Sequence, residues 1–265
     1  MPIAGRAQQT RLFIFVPLAM SIHIIQDAEA YNPTVARWII ACVQDRLRNQ
    51  DRFTLVLSGG NTPKALYALL ASSPYREQIP WEKIHIFWGD ERAVPFSDDR
   101  NNAKMAFDSL LRHVPIPTSQ IHVMRTDISP EESAKQYADI LHGYFPMADD
   151  PGKNQHSFDL VLLGMGEDGH TLSLFPGTNI VNEGKKWVSA YFVPAQDMYR
   201  ITLTKAVVNE AAQVAFLTTG PNKAHALREV IQGSFRPQIY PAQVIRPVSG
   251  SLDWFVDAPA AAALS

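Results

Sequence analysis

With 265 residues, 46% hydrophobic content and a formal net charge of −2, the chain can bury a substantial core as one large α/β domain or two closely packed lobes, which excludes a disordered protein. Neither that charge nor a pI near 6.4 supplies the basic field that nucleic acid requires, so an anionic partner must be small and held by a local cluster of donors. The lone cysteine, Cys42, rules out an internal disulfide framework; it falls in a helical pattern, where burial is its expected role, and it points to a reducing compartment.

The run from Leu12 to Met20 behind Arg11 has the basic flank and apolar stretch of a signal peptide, yet it is too short to span a bilayer and no small-x-small cleavage site follows. Residues 1–20 are therefore expected to be a mis-assigned start, with Met20 as the natural initiator, or an appended N-terminal extension, with a genuine export signal as the alternative. Residues 21–258 are expected to form the α/β domain, and 259–265 a tail.

Strands and helices alternate from there on. Ser21–Gln26 reads as a first strand around the β-branched run Ile22–Ile25, and Tyr31–Leu47 carries Val35, Trp38, Ile39, Cys42 and Val43 at helical spacing. Phe53–Leu57 is the next strand. It runs into Ser58-Gly59-Gly60-Asn61-Thr62-Pro63-Lys64, after which Ala65, Leu66, Leu69 and Leu70 restore helical periodicity. Two glycines between a strand and a helix start present consecutive backbone N–H groups beside a positive dipole end, and Asn61 and Thr62 add side-chain donors. The spacing lacks a Walker lysine, so the turn is an anion cradle or an ordinary capped turn, and not a nucleotide P-loop.

The strand Ile84–Trp88 ends in Gly89-Asp90-Glu91-Arg92. A three-charge run is usually a solvated turn, but this one follows Ile-His-Ile-Phe-Trp, a segment too apolar for the surface, and an arginine there suits an anion. Ala103–Leu111 then reads as a helix, Ile121–Met124 as a strand, Pro130–Tyr144 as a helix with Glu131 and Glu132 at its start, and Asp149–Gln155 as a polar loop.

Leu160–Leu163 is a continuous apolar run, as in a parallel strand covered on both faces, and the chain then breaks at Gly164, Gly166 and Gly169. Asp168 and His170 sit in that break. Gly164-Met165-Gly166-Glu167-Asp168-Gly169 formally matches a dinucleotide fingerprint, but Glu167 and Asp168 would set two carboxylates against a pyrophosphate. The bland alternative is a structural loop in which His170 only fills space. Further on, Trp187–Val193, Ile201–Leu203 and Val214–Thr218 are strand-like, with Arg200 entering the second of them. Thr219-Gly220-Pro221-Asn222-Lys223 then opens a helix marked by Ala226, Leu227, Val230 and Ile231. A lysine in a first helical turn opposes the dipole, so a bound anion explains Lys223 better than helix stability does. The stretch with Pro247, Gly250 and Trp254 reads as a less regular finish, and Ala258–Ser265 as a loose tail.

This alternation predicts an α/β fold with a largely parallel central sheet covered by helices on both faces, a modified Rossmann-like arrangement with its site at the carboxyl ends of the strands. Three stretches, Leu57-Ser58-Gly59-Gly60-Asn61-Thr62-Pro63, Trp88-Gly89-Asp90-Glu91-Arg92-Ala93-Val94-Pro95 and Leu163 through Pro176, with Arg200-Ile201-Thr202-Leu203 and the Lys223 helix start, resemble the 6-phosphogluconolactonase family in order and spacing. The resemblance covers about residues 21 to 258. It implies a cytosolic hydrolase of the pentose phosphate pathway with no metal or other cofactor, acting on a sugar-phosphate lactone, with no nucleic-acid or membrane partner, and present as a monomer or small homo-oligomer. The related glucosamine-6-phosphate isomerases carry a glutamate five residues after the histidine, where this chain has Phe175. A non-catalytic sugar-phosphate sensor would be favoured only if the Asp168–His170 pair were missing.

No Gly-x-Ser-x-Gly elbow, His-Glu-x-x-His motif or paired Cys/His spacing occurs, so water is the expected nucleophile. His170 is expected to take its proton and return one to the ring oxygen, with Asp168 orienting the imidazole. Partly on the resemblance, Arg92 is expected to stabilise the oxyanion or hold sugar hydroxyls, and Gly59, Gly60, Asn61, Thr62, Arg200 and Lys223 to hold the phosphate. Asp90 either binds a sugar hydroxyl or supports its loop.

Overall fold

Apolar runs bounded by polar or glycine-containing turns become strands, and the segments with helical spacing cross between them. The computed structural model describes residues 19–145 and 156–265. The expected polar loop at Asp149–Gln155, and all of the amino-terminal extension except residues 19 and 20, lie outside the described residues. The first half comprises β1 (Ala19–Ile25), α1 (Ala28–Arg46), β2 (Phe53–Leu57), α2 (Asn61–Leu70), β3 (Ile84–Trp88), β4 (Asp90–Arg92), α3 (Asn102–Ala106) and α4 (Pro130–Tyr144). The second comprises β5 (Leu160–Gly164), β6 (Val188–Val193), β7 (Met198–Leu203), α5 (Lys205–Val208), β8 (Gln213–Thr218), α6 (Ala224–Ile231), β9 (Ser251–Asp257) and α7 (Ala258–Ala261).

Six strands form a parallel sheet in the order β1-β9-β8-β5-β2-β3. Because side chains alternate across a strand, Leu160 and Leu162 enter the core shared with α1 and α2, while Val161 and Leu163 enter the one shared with α4. After β2 the chain passes through α2 to β3 on one side; after β5 it moves the other way, to β8. The order therefore reverses between β2 and β5, which opens a crevice at their carboxyl ends.

A second, antiparallel sheet, β4-β7-β6, was not foreseen from the sequence. Gly89 joins it to the first: its N–H donates to the Leu57 carbonyl at 2.9 Å and its carbonyl accepts from the Leu203 N–H at 2.8 Å. The Asp90-Glu91-Arg92 run is thus a strand paired with β7, and not a solvated turn.

Four expectations need correction. Ile121–Met124 does not form a strand, since only Ile121 bridges Ile86. The Tyr137 hydroxyl accepts the Trp88 N–H at 2.8 Å and donates to the His122 carbonyl at 3.2 Å, standing where a further ladder pair would lie. The helix expected over Ala103–Leu111 starts at Asn102 and turns into a π-helical segment at Phe107–Leu111. The less regular finish contains a seven-residue strand, β9, whose buried Leu252, Trp254 and Val256 face the α4 side. The loose tail contains α7, capped by the Asp257 carboxylate, with Ala260 and Ala261 buried. Cys42 is buried as expected, and burial pushes its thiol up to about 12.

Candidate active site

The loop after β5 is a tight turn closed by its own backbone. The Gly166 N–H donates to the His170 carbonyl at 2.8 Å, and the Gly169 N–H donates to the Gly166 carbonyl at 3.1 Å. Gly169 has φ 76°, and a Cβ there would lie 2.9 Å from the Tyr240 ring, so both conformation and space require glycine. Within the turn, Asp168 Oδ1 accepts from the backbone N–H of His170 at 3.1 Å and meets its Nδ1 at 2.6 Å. Desolvation tends to raise the Asp168 carboxyl, but the hydrogen bond and charge of His170 prevail and hold it below its ordinary value. The imidazole rests on the Phe175 ring, with centroids 4.3 Å apart, and the Arg200 guanidinium carbon lies 5.7 Å from the centroid of the same ring, so Phe175 links base and cation.

Three carboxyl-end loops are bound to one another by side chains. Thr62, in the first turn of α2, shares a 2.7 Å hydrogen bond with Thr219, which follows β8. Asn222, in the same post-β8 turn, donates to Glu167 in the Asp168–His170 loop at 2.5 Å. The Gly220 N–H donates to both oxygens of Asp257 at 3.1 and 2.9 Å. Gly59, Gly60, Asn61 and Thr62 therefore share a rim with Asp168 and His170, and so does Lys223. Lys223 closes a 3₁₀ turn, Pro221–Lys223, and stands at the N-cap position of α6, just outside the first helical turn where the sequence placed it. Between β2 and β8, a Cβ on Gly164 would meet no atom within 4 Å, which marks open space at the end of β5.

On the second sheet, Arg92 and Arg200 are direct partners across β4 and β7. Arg200 is only 5% exposed. Its Nη1 lies 3.5 Å from Asp90 Oδ2, its Nε donates to Gln196 Oε1 at 3.1 Å, and its Nη2 donates to the same oxygen. Asp90 is also buried; its Oδ2 accepts from the Ser173 hydroxyl at 2.6 Å, and its carbonyl accepts from Asn102 Nδ2 at 2.9 Å. Arg92 donates through Nη1 to the Arg100 carbonyl at 2.7 Å, while its buried Nε has no partner among the described residues.

Sequence reasoning missed Glu91. Its carboxylate is 1% exposed and accepts the N–H groups of Arg92, Asn102 and Ala103 at 2.8, 2.7 and 2.8 Å. Desolvation raises its pKa to about 7 against the pull of those three donors. Asn102, fixed at the start of α3 by Glu91, packs against Gly59, where a Cβ would come within 1.9 Å of its Oδ1. The only sequence signal was the density of carboxylates and amides between Asp90 and Asn102; their pairing depends on the tertiary fold.

Fold and site together define a doubly wound α/β protein with an imidazole–carboxylate pair at its switch point and a helix-start turn beside it. Residues 26–254 match the family described as glucosamine-6-phosphate isomerases/6-phosphogluconolactonase, and the chain belongs to that family. It is 40% identical over 223 residues to a 6-phosphogluconolactonase of Synechocystis sp., covering 82% of this chain and 89% of that one. It is 39% identical over 251 residues to a probable chloroplastic 6-phosphogluconolactonase 3 of Oryza sativa subsp. indica, covering 91% and 76%. The solved 6-phosphogluconolactonase of Trypanosoma cruzi superposes with a TM-score of 0.81 at 26% identity, covering 94% and 98%.

Proposed function

We propose that this chain hydrolyses 6-phospho-D-glucono-1,5-lactone to 6-phosphogluconate in the oxidative pentose phosphate pathway. Its likeness to proteins named 6-phosphogluconolactonase over most of their length and its own supports the substrate. The observation that carries the chemistry is the 2.6 Å contact between His170 Nδ1 and Asp168. With Nδ1–H directed at the carboxylate, Nε2 presents its lone pair to water. That water attacks the lactone carbonyl carbon while Nε2 takes its proton; the tetrahedral intermediate then expels the ring oxygen, which receives the proton from the imidazolium. Every proton passes through His170, so the scheme uses no cofactor.

Arg92 stabilises the oxyanion or holds sugar hydroxyls, with its Nη1 already given to the Arg100 carbonyl. The amides of Gly59 and Gly60, the side chains of Asn61 and Thr62, and the cations Arg200 and Lys223 hold the phosphate. Asp90 acts by holding Arg200 and Ser173, which favours the supporting role over direct contact with a sugar hydroxyl. Residues 21–258 act as the catalytic unit, and the setting is cytoplasmic. No helix among the described residues is long and apolar enough to cross a membrane.

The test is to supply the pure protein with freshly generated lactone, subtract spontaneous opening, and follow 6-phosphogluconate formation. Glucosamine-6-phosphate is tested in parallel for ammonia release. Lactone hydrolysis without ammonia is expected, because Phe175 offers no acid or base beside His170. Ammonia release at a comparable rate would overturn the assignment.

A further inference from the structure

Arg200 raises a question of aim. A guanidinium has five N–H donors in a rigid plane, and it grips a phosphate well only when the correct edge faces it. The Arg200 side chain enters from a strand interior, is 5% exposed, and has desolvation as the main pressure lowering its pKa. Asp90, 3.5 Å from Nη1, is too distant to fix the plane alone, and its Oδ2 is already engaged by Ser173 at 2.6 Å. The remaining constraint comes from the turn between β6 and β7. There Pro194–Gln196 forms a 3₁₀ turn, Asp197 follows with φ 47°, and Gln196 Oε1 accepts from both Nε and Nη2 of Arg200.

We infer that Gln196 is a positioning residue that fixes the Arg200 guanidinium by its side edge and leaves one hydrogen on each terminal nitrogen for the substrate phosphate. A neutral amide suits this role. It accepts two N–H bonds without cancelling the arginine charge, whereas a carboxylate in the same place would form an internal ion pair and weaken the attraction for a phosphate dianion. The 3₁₀ turn and the left-handed Asp197 bring Gln196 back over the strand at i−4 from Arg200. This inference rests on the reading that Arg200 contacts the phosphate.

The experiment compares kcat/KM for 6-phosphogluconolactone with that for unphosphorylated gluconolactone in wild type, Arg200→Ala, Gln196→Ala and Gln196→Glu, with thermal melts of each. Gln196→Ala is expected to raise KM for the phosphorylated lactone about 5- to 30-fold, with kcat and the unphosphorylated reaction nearly unchanged. Gln196→Glu is expected to lose more than Gln196→Ala despite keeping the acceptor oxygen. If Arg200→Ala leaves the substrate preference intact, the phosphate reading of Arg200 fails, and this inference with it. If Arg200→Ala narrows the preference but neither Gln196 variant does, the Gln196 role alone fails. Equal losses on both substrates, accompanied by a lowered Tm, would reduce Gln196 to a structural residue and also overturn the inference.

Discussion

A single oxygen of Asp168 holds His170 at two points, meeting the ring Nδ1 at 2.6 Å and the backbone N–H at 3.1 Å. The carboxylate thereby sets both the position of the residue and the orientation of its ring. His170→Asn should reduce lactone hydrolysis by about 10²- to 10⁴-fold, the span typical of losing a general acid/base. Asp168→Asn should cost less, because the amide oxygen can still accept both bonds but no longer favours the imidazolium. Initial rates corrected for spontaneous opening check both, and near-wild-type turnover in His170→Asn would remove the mechanism.

Gly166 reports on the same pair from the other side. A Cβ at this position would lie 2.1 Å from His170 Nδ1 and 2.4 Å from Asp168 Oδ1. Gly166→Ala must therefore displace the ends of both side chains, at a cost of about 1–3 kcal/mol in stability. Misplacing the base should lower kcat by about 10²-fold. A folded Gly166→Ala variant with wild-type kcat would show that the pair is not catalytic.

How much of this was legible depended on whether a residue's partner lies nearby in the chain. Phe53–Leu57, Ile84–Trp88 and Pro130–Tyr144 match their observed bounds because their signals are local: an apolar run, or a proline with two glutamates at a helix start. β4 was hidden, since three charged residues become a strand only when β7 arrives to pair with them. Asp168 and His170 could be chosen from the glycines around them. Glu91 could not, because what distinguishes it is the enclosure of its carboxylate beneath the start of α3, and enclosure leaves no mark on a local pattern.

Glu91 gives a pH prediction. Raised from 4.5 to about 7, its carboxyl binds a proton over that interval in the folded chain but not in the unfolded one. Its contribution to stability is therefore fully present below pH 4.5 and lost as pH rises through 7, a swing on the order of 3 kcal/mol. Glu91→Gln lacks this swing. The Tm of the variant, taken relative to wild type, should thus increase between about pH 5 and about pH 8. A difference that stays constant across that range would mean that Glu91 is ionised throughout.

Lys223 tests the other end of the site. Charge-assisted bonds to a phosphate contribute roughly 1.5–3 kcal/mol each, so Lys223→Ala should weaken the phosphorylated lactone about 10- to 100-fold and leave gluconolactone almost unaffected. The measurement is the ratio of the two kcat/KM values. An unchanged ratio would return Lys223 to a surface role.

The pairing of β1 with β9 has a consequence for how the protein is made. Ile22 lies beside Trp254, so the first described strand is aligned by almost the last. A ribosome releases β1 early, yet nothing in the sheet can receive it until nearly all of the polypeptide has emerged. Until then β8 also lacks its β9 neighbour, and the apolar edge of a half-built sheet faces solvent and whatever chaperones meet it. Synthesis speed and chaperone supply, more than the strength of the finished core, should therefore govern the yield of native enzyme.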